Sequence, residues 1–281
     1  MSSLEVVLEG PRGRAELLDR YVEFVAARCR RNTVIATVSD LRVFFAVIDK
    51  DPAAVTPADV FEFISTQRRG DGDGRVVRLV DGEAGMAART IRRRLAVMSG
   101  LFNWLVLCGE MGANPVPRGM ATRRTGAGGQ PSGSPLIRTP RTLPKVLDPA
   151  AVIALLGAVR HWRDRAMLEA MLLGGLRCCE VIGLRLEDLQ PTQRLVFIAD
   201  GKGGHQRLIP MSGQFFQSLS HYLSLERPAD ATTDAVFVVL KTNRRGSPLS
   251  INGLEQIVAS AKARAGLERA TCHQLRHTCL T

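Results

Sequence analysis

Aromatic residues are scarce in this chain: they make up 5% of its 281 residues, and only two are tyrosines. Leu, Val, Ile and Ala must therefore fill most of any core, and an apolar fraction of 45% is ample for that. No run of twenty apolar residues occurs, so no spanning helix is expected. The opening MSSLEVVLEGPRGR has no apolar stretch behind a basic start, so no signal peptide is expected there. The six cysteines show no CxxC spacing and no regular framework, which suits a reduced cytoplasm, where cysteine behaves as a small hydrophobe. Acid is short as well: 27 Asp or Glu stand against 38 Lys or Arg, a net charge of +11. Such a charge favours a polyanionic partner such as nucleic acid, although an arginine-rich composition alone would also produce it. Its distribution is uneven. Residues 68–145 hold fourteen basic residues against five acidic ones, whereas residues 146–281 hold sixteen against twelve.

What is present is helical periodicity. Leu17, Leu18, Tyr21, Phe24 and Val25 recur at helical spacing within 14–30, and Leu41, Phe44, Phe45 and Ile48 do so within 33–48. TPADVFEFISTQRR opens with Thr56 as an N-cap and Pro57 in the first turn. The glycine-rich GDGDGRVVRLVDGEAG then reads as a loop or small hairpin. Helix resumes with Ile91, Leu95, Met98, Phe102 and Leu105 on one stripe. Arg92, Arg93 and Arg94 lie off that stripe near the helix start, with Arg89 and Thr90 just before them. Free backbone N–H groups and guanidinium forks there suit DNA phosphates, and a solvated basic face is the other reading. The Gly/Pro-rich stretch that follows, with Arg123 and Arg124 as further DNA-binding candidates, carries no acidic residue and cannot form a core.

The second half begins at Asp148 as N-cap with Pro149 behind it. Further helices are predicted over 164–173 (halted by Gly174 and Gly175), 177–185, 213–225, 250–265 and 271–281. RLVFIAD and RLIP read as strands joined by the hairpin signal GKGGHQ, and AVFVVL (235–240) as a further strand. The expected fold is mainly α with a small β-sheet. It divides into a helical domain over 1–115, a basic linker over 116–145 and an α+β domain over 146–281.

Four basic residues stand out: Arg177 in GGLRCCEVIGLRLEDL, Lys202 in GKGGH, and His273 with Arg276 in HQLRH. On a helix, His273, Arg276 and His277 share one face, while Cys272, Leu275 and Cys279 fall on the other. That split argues against a zinc cluster, and Gln274 stands where a zinc protease of the HExxH type needs its carboxylate. Arg177 has Glu180 one helical turn along, which gives it a defined pose or a plain surface ion pair. GKGGHQR is not a P-loop, and Lys202 at a hairpin tip reads equally as an ordinary turn lysine.

In this order, behind a basic helical domain, the segments GLRCCEVIGLRLEDL, GKGGHQRLIP and HQLRHT resemble those of the tyrosine recombinase family, the phage integrases and Xer-like or transposon-type recombinases. FNWLVLCGEMGANP resembles the exit of that family's DNA-gripping domain, so the likeness runs from about residue 14 to the end. The resemblance implies a site-specific recombinase acting on duplex DNA with inverted half-sites through a covalent phosphotyrosine, with family members forming a tetramer on DNA. It implies that Arg177 and Arg276 clamp the scissile phosphate, that Lys202 protonates the leaving 5′-oxygen and that His273 assists proton transfer. Glu180 and His277 would support them. No metal or nucleotide cofactor is implied. The family has its nucleophilic tyrosine and C-terminal helices further on than residue 281. Tyr21 and Tyr222 are in neither place, so this chain is expected to bind DNA without cleaving it in cis. A non-catalytic DNA-binding competitor of a complete recombinase is the alternative reading, and a metal-dependent nuclease using His273 and His277 is a weaker one.

Overall fold

The computed structural model describes residues 12–69, 85–117, 136–137, 146–201 and 204–280. The chain forms two compact units, Met1–Arg141 and Thr142–Thr281. Among the described residues no helix is long and apolar enough to cross a membrane.

The first unit is built from α1 (Arg12–Arg28), α2 (Arg31–Val47), α3 (Pro57–Arg69) and α4 (Ala88–Leu107). The predicted stripe of α4 is buried in full, from Ile91 to Leu105. Phe44 of α2 is its meeting point, with ring centroids 5.0 Å from Phe63 of α3 and 6.1 Å from Phe102 of α4, both edge-on. Such pairs add to the area that aromatic rings bury, which offsets their scarcity. Phe24 departs from the predicted face of α1: it is partly exposed and leans on Trp104. Thr56 precedes α3 as expected, with its N–H and its hydroxyl both donating to Asp59. The glycine-rich hairpin candidate falls almost wholly outside the described residues, as does most of the linker.

The second unit contains α5 (Pro149–Gly157), α6 (Trp162–Gly174), α7 (Cys178–Ile182), β1 (Leu189–Gln190), β2 (Leu195–Ile198), β3 (Arg207–Pro210), α8 (Gly213–His221), α9 (Ile251–Arg264) and α10 (Cys272–Leu280). Asp148 caps α5 by accepting the Ala151 N–H at 2.8 Å. α6 is the centre of this unit and packs against α8 and α10. Of residues 163–172 only Arg165 is not buried. A single π-turn at Tyr222–Glu226 continues α8. The strands form one antiparallel sheet of order β1-β2-β3, in which Ile198 pairs with Arg207.

AVFVVL does not form the predicted strand. Its residues make only isolated bridges, Arg185 to Ala235 and Val238 to Pro248. Side chains interrupt what would be a ladder. The Tyr222 hydroxyl donates to the Val236 carbonyl at 3.0 Å and accepts the Val238 N–H at 3.1 Å, and Arg163 donates to the Val238 carbonyl. Buried backbone groups need partners, and here side chains share that task with scattered backbone groups: the Val236 N–H donates to the Leu184 carbonyl, the Val239 N–H to that of Ser247 and the Leu249 N–H to that of Phe237.

Candidate phosphate-binding site

α6 ends where a sequence of two glycines lets it. Gly175 is its C-cap in the left-handed region (φ 61°), which favours glycine. The chain then turns into α7, with Arg177 as its N-cap. Glu180 sits in the first turn of α7 and reaches back. Its Oε2 accepts the Arg177 N–H at 2.9 Å, and its Oε1 accepts Arg177 Nη1 at 2.6 Å. The Glu180 side chain is fully buried.

Two more arginines converge on this carboxylate. Arg207 of β3 donates from Nη2 to Oε2 at 2.8 Å. Arg276 of α10 places Nη1 3.8 Å from Oε2 and donates to the Gly175 carbonyl instead. Burial pushes the Glu180 carboxyl up, but the hydrogen bonds from Arg207, from the Arg177 N–H and from the Arg177 guanidinium outweigh it. Together they hold the group at about 2, well below its ordinary 4.5. Arg276 is pushed down, first by burial and then by the positive charge of Arg177. Three guanidinium groups on one carboxylate leave a surplus of positive charge, the complement of a bound anion.

α10 supplies the remaining groups on the predicted face. Thr271 caps it by accepting the Gln274 N–H at 3.2 Å. Cys272 and Leu275 are buried, and Cys279 is half-buried. His273 and His277 stand edge-on with Nε2 atoms 2.8 Å apart, so one nitrogen donates and the other accepts. Thr278 accepts the Leu147 N–H at 3.0 Å, which ties α10 to the start of the unit. Arg177, Arg276 and His273 line a cleft of about 570 Å³, together with Lys262 of α9 and an apolar floor of Ile251, Val258 and Ala259. Cys178 and Cys272 also line it. Among the described residues no group of three His, Cys, Asp or Glu could hold a metal ion.

The structure thus brings Arg177, Glu180, His273, Arg276 and His277 together. Lys202 lies outside the described residues. Arg207 is the residue that sequence reasoning missed. Its signal was its place in RLIP: a charged residue opening a strand that leads out of a glycine-rich turn.

The candidate DNA-binding residues of the first unit separate. Arg89 and Arg92 are exposed and Thr90 is half-buried. Arg93 donates to both oxygens of the buried Asp40, and Arg94 donates to Gln67 with Nε 3.6 Å from Asp40. Those two tie α4 to α2 and α3. Arg123 and Arg124 lie outside the described residues. Tyr21 is buried and Tyr222 fully so, and burial pushes both phenols up.

The chain is similar to several known proteins. The phage integrase family matches residues 145–281. The tyrosine recombinase XerD of Mycobacterium tuberculosis is 30% identical over 265 residues, covering 89% of this chain and 78% of that protein. That of Mycobacterium leprae is 31% identical over 249 residues, covering 83% of this chain and 70% of that protein. Among solved structures, lambda integrase bound to DNA gives a TM-score of 0.64 at 16% identity, covering 94% of this chain and 84% of that one. At that identity the likeness is one of fold.

Proposed function

Because the chain belongs to the tyrosine recombinases of the phage integrase family, we propose that it binds duplex DNA at inverted half-sites, in the cytoplasm, and grips a phosphodiester there. The observation that carries this is the convergence of Arg177 and Arg276 on one buried carboxylate from positions 99 residues apart in sequence. Residues 1–115 grip the duplex, 116–145 form a basic tether and 146–281 hold the reacting phosphate.

The chemistry follows from where charge develops. Attack on a phosphodiester builds negative charge on the non-bridging oxygens, and guanidinium donors fixed beforehand stabilise it. Arg177 and Arg276 fill that role. His273 takes the proton of an attacking tyrosine hydroxyl as its oxygen bonds to phosphorus, and Lys202 protonates the departing 5′-oxygen as the old bond breaks. His277 holds His273 through the Nε2 contact. The phosphotyrosine keeps the bond energy for rejoining, so the step calls for neither metal nor nucleotide. Neither tyrosine of residues 1–281 is the attacking group: the Tyr222 hydroxyl is committed to Val236 and Val238, and Tyr21 is in the core of the first unit. These residues therefore bind and polarise DNA without cutting it in cis.

The same burial favours a second reading, a DNA-binding competitor that occupies the sites of a complete recombinase. Gel shifts on duplexes with inverted half-sites test the DNA reading, and loss of every shift even at low salt would overturn it. Covalent trapping on nicked duplex tests the chemistry. No adduct is expected from this chain alone. A complete recombinase disabled at its clamp arginines, mixed in, should yield one if a tyrosine is lent in trans, and no adduct favours the competitor.

A further inference from the structure

Glu180 and Arg276 have opposite charges and lie close together, yet they do not hydrogen-bond: Nη1 is 3.8 Å from Oε2. The reason is on the other side of the carboxylate. A carboxylate oxygen accepts about two hydrogen bonds. Oε2 already takes the Arg177 N–H at 2.9 Å and Arg207 Nη2 at 2.8 Å. Arg276 turns instead to the Gly175 carbonyl. Gly201 stands against Arg207 and His205: a Cβ there would be 2.4 Å from the His205 carbonyl and 2.8 Å from Arg207 Nη1.

We propose that Arg207 is a positioning residue that keeps Arg276 available to phosphate by occupying the Glu180 carboxylate. This rests on the phosphate-binding reading given above. Without Arg207, Oε2 has a vacant acceptor position, and a movement of about 1 Å brings Arg276 into hydrogen-bond range of it. Arg276 is then spent on an internal ion pair.

The test uses the full chain with ¹⁵N-labelled arginine, inorganic phosphate as the probe, and the Nε–H signal of Arg276, assigned by its loss in Arg276→Lys. In phosphate-free buffer that signal moves in Arg207→Gln as Arg276 engages Glu180. Phosphate affinity in Arg207→Gln falls by about ten-fold. Adding Glu180→Gln to Arg207→Gln removes the competing charge and recovers most of that loss. A merely structural role predicts the reverse, a double variant weaker than the single one, and that result overturns the proposal, as does unchanged affinity in Arg207→Gln. If Arg207→Gln does not fold, Arg207→Lys keeps a charged donor and should bind phosphate within about two-fold of the parent. A folded Lys variant with a ten-fold loss overturns the proposal. A parent chain whose Arg276 signal ignores phosphate removes the phosphate-binding reading instead. The phosphate-free signal then decides alone: moved in Arg207→Gln it supports the role of Arg207, and unmoved it refutes it.

Discussion

Each compact unit has a buried carboxylate met by more than one arginine, and the two arrangements differ. Asp40 receives Arg93 and Arg94, which are neighbours on one helix, and Arg93 closes on both of its oxygens. Glu180 receives Arg177, Arg207 and Arg276 from α7, β3 and α10. There Arg177 spends one guanidinium nitrogen on the carboxylate and Arg276 stands off it. A two-nitrogen pair such as Arg93 with Asp40 is a tie between helices. A carboxylate shared by three partners holds guanidinium groups in place while leaving donors over. The comparison teaches that burial of an ion pair does not mark function by itself, whereas unspent donors around it do.

Removing each carboxylate should separate the two uses. Glu180→Ala leaves three cations without their counter-charge and should cost about 3 kcal/mol in urea unfolding, near the low end for a buried pair because Arg177 and Arg207 keep contact with water. It should also weaken phosphate binding, because Arg177 loses both hydrogen bonds that hold it. Asp40→Ala should cost about 1–2 kcal/mol, since Arg93 is half-exposed and can rehydrate, and it should leave phosphate affinity at the Arg276 signal unchanged. Equal effects on phosphate binding would erase the distinction.

The same carboxylate fixes a pH dependence. The folded group is held at about 2 against an ordinary 4.5, so it contributes stability fully above 4.5 and loses it as pH falls from 4.5 towards 2. The full loss amounts to about 3 kcal/mol. Urea midpoints measured across that window should fall with acid in the parent chain and fall less steeply in Glu180→Gln. A third substitution, Tyr222→Phe, leaves the Val236 carbonyl and the Val238 N–H without their partner. It should cost about 1–3 kcal/mol with DNA binding unchanged. A loss of DNA binding in a folded Tyr222→Phe chain would give that hydroxyl a role at the site.

Much of this was legible in the sequence because it is local. The stripes of α2 and α4, the Asp148 cap and the shared face of His273, Arg276 and His277 all follow from helical spacing, and the structure has them. Glu180 was legible as the third residue after Arg177. What was not legible depends on distant partners. AVFVVL has the composition of a strand, but Tyr222 and Arg163 take the backbone groups of Val238, and the backbone bonds on either side run to separate segments around Leu184 and Ser247, so no continuous ladder forms. Arg207 becomes meaningful only when β3 is seen beside α7. Arg92, Arg93 and Arg94 look alike in sequence, and only Asp40, more than fifty positions earlier, tells them apart.

That last point carries the smallest predicted effect and the sharpest contrast. Arg92 is exposed on α4, whereas Arg93 is held by Asp40. If α4 meets DNA phosphates, Arg92→Ala removes one contact: the slope of log affinity against log salt should shrink by about one. Arg93→Ala should do the opposite. It should lower stability by about 1–2 kcal/mol by leaving Asp40 with less counter-charge, and change the salt slope little. A salt titration of DNA binding beside a urea titration, run on both variants, reads the two effects separately. If Arg93→Ala flattens the salt slope as much as Arg92→Ala does, then Arg93 leaves Asp40 when DNA arrives, and the tie between α4 and α2 is itself part of the DNA-binding surface.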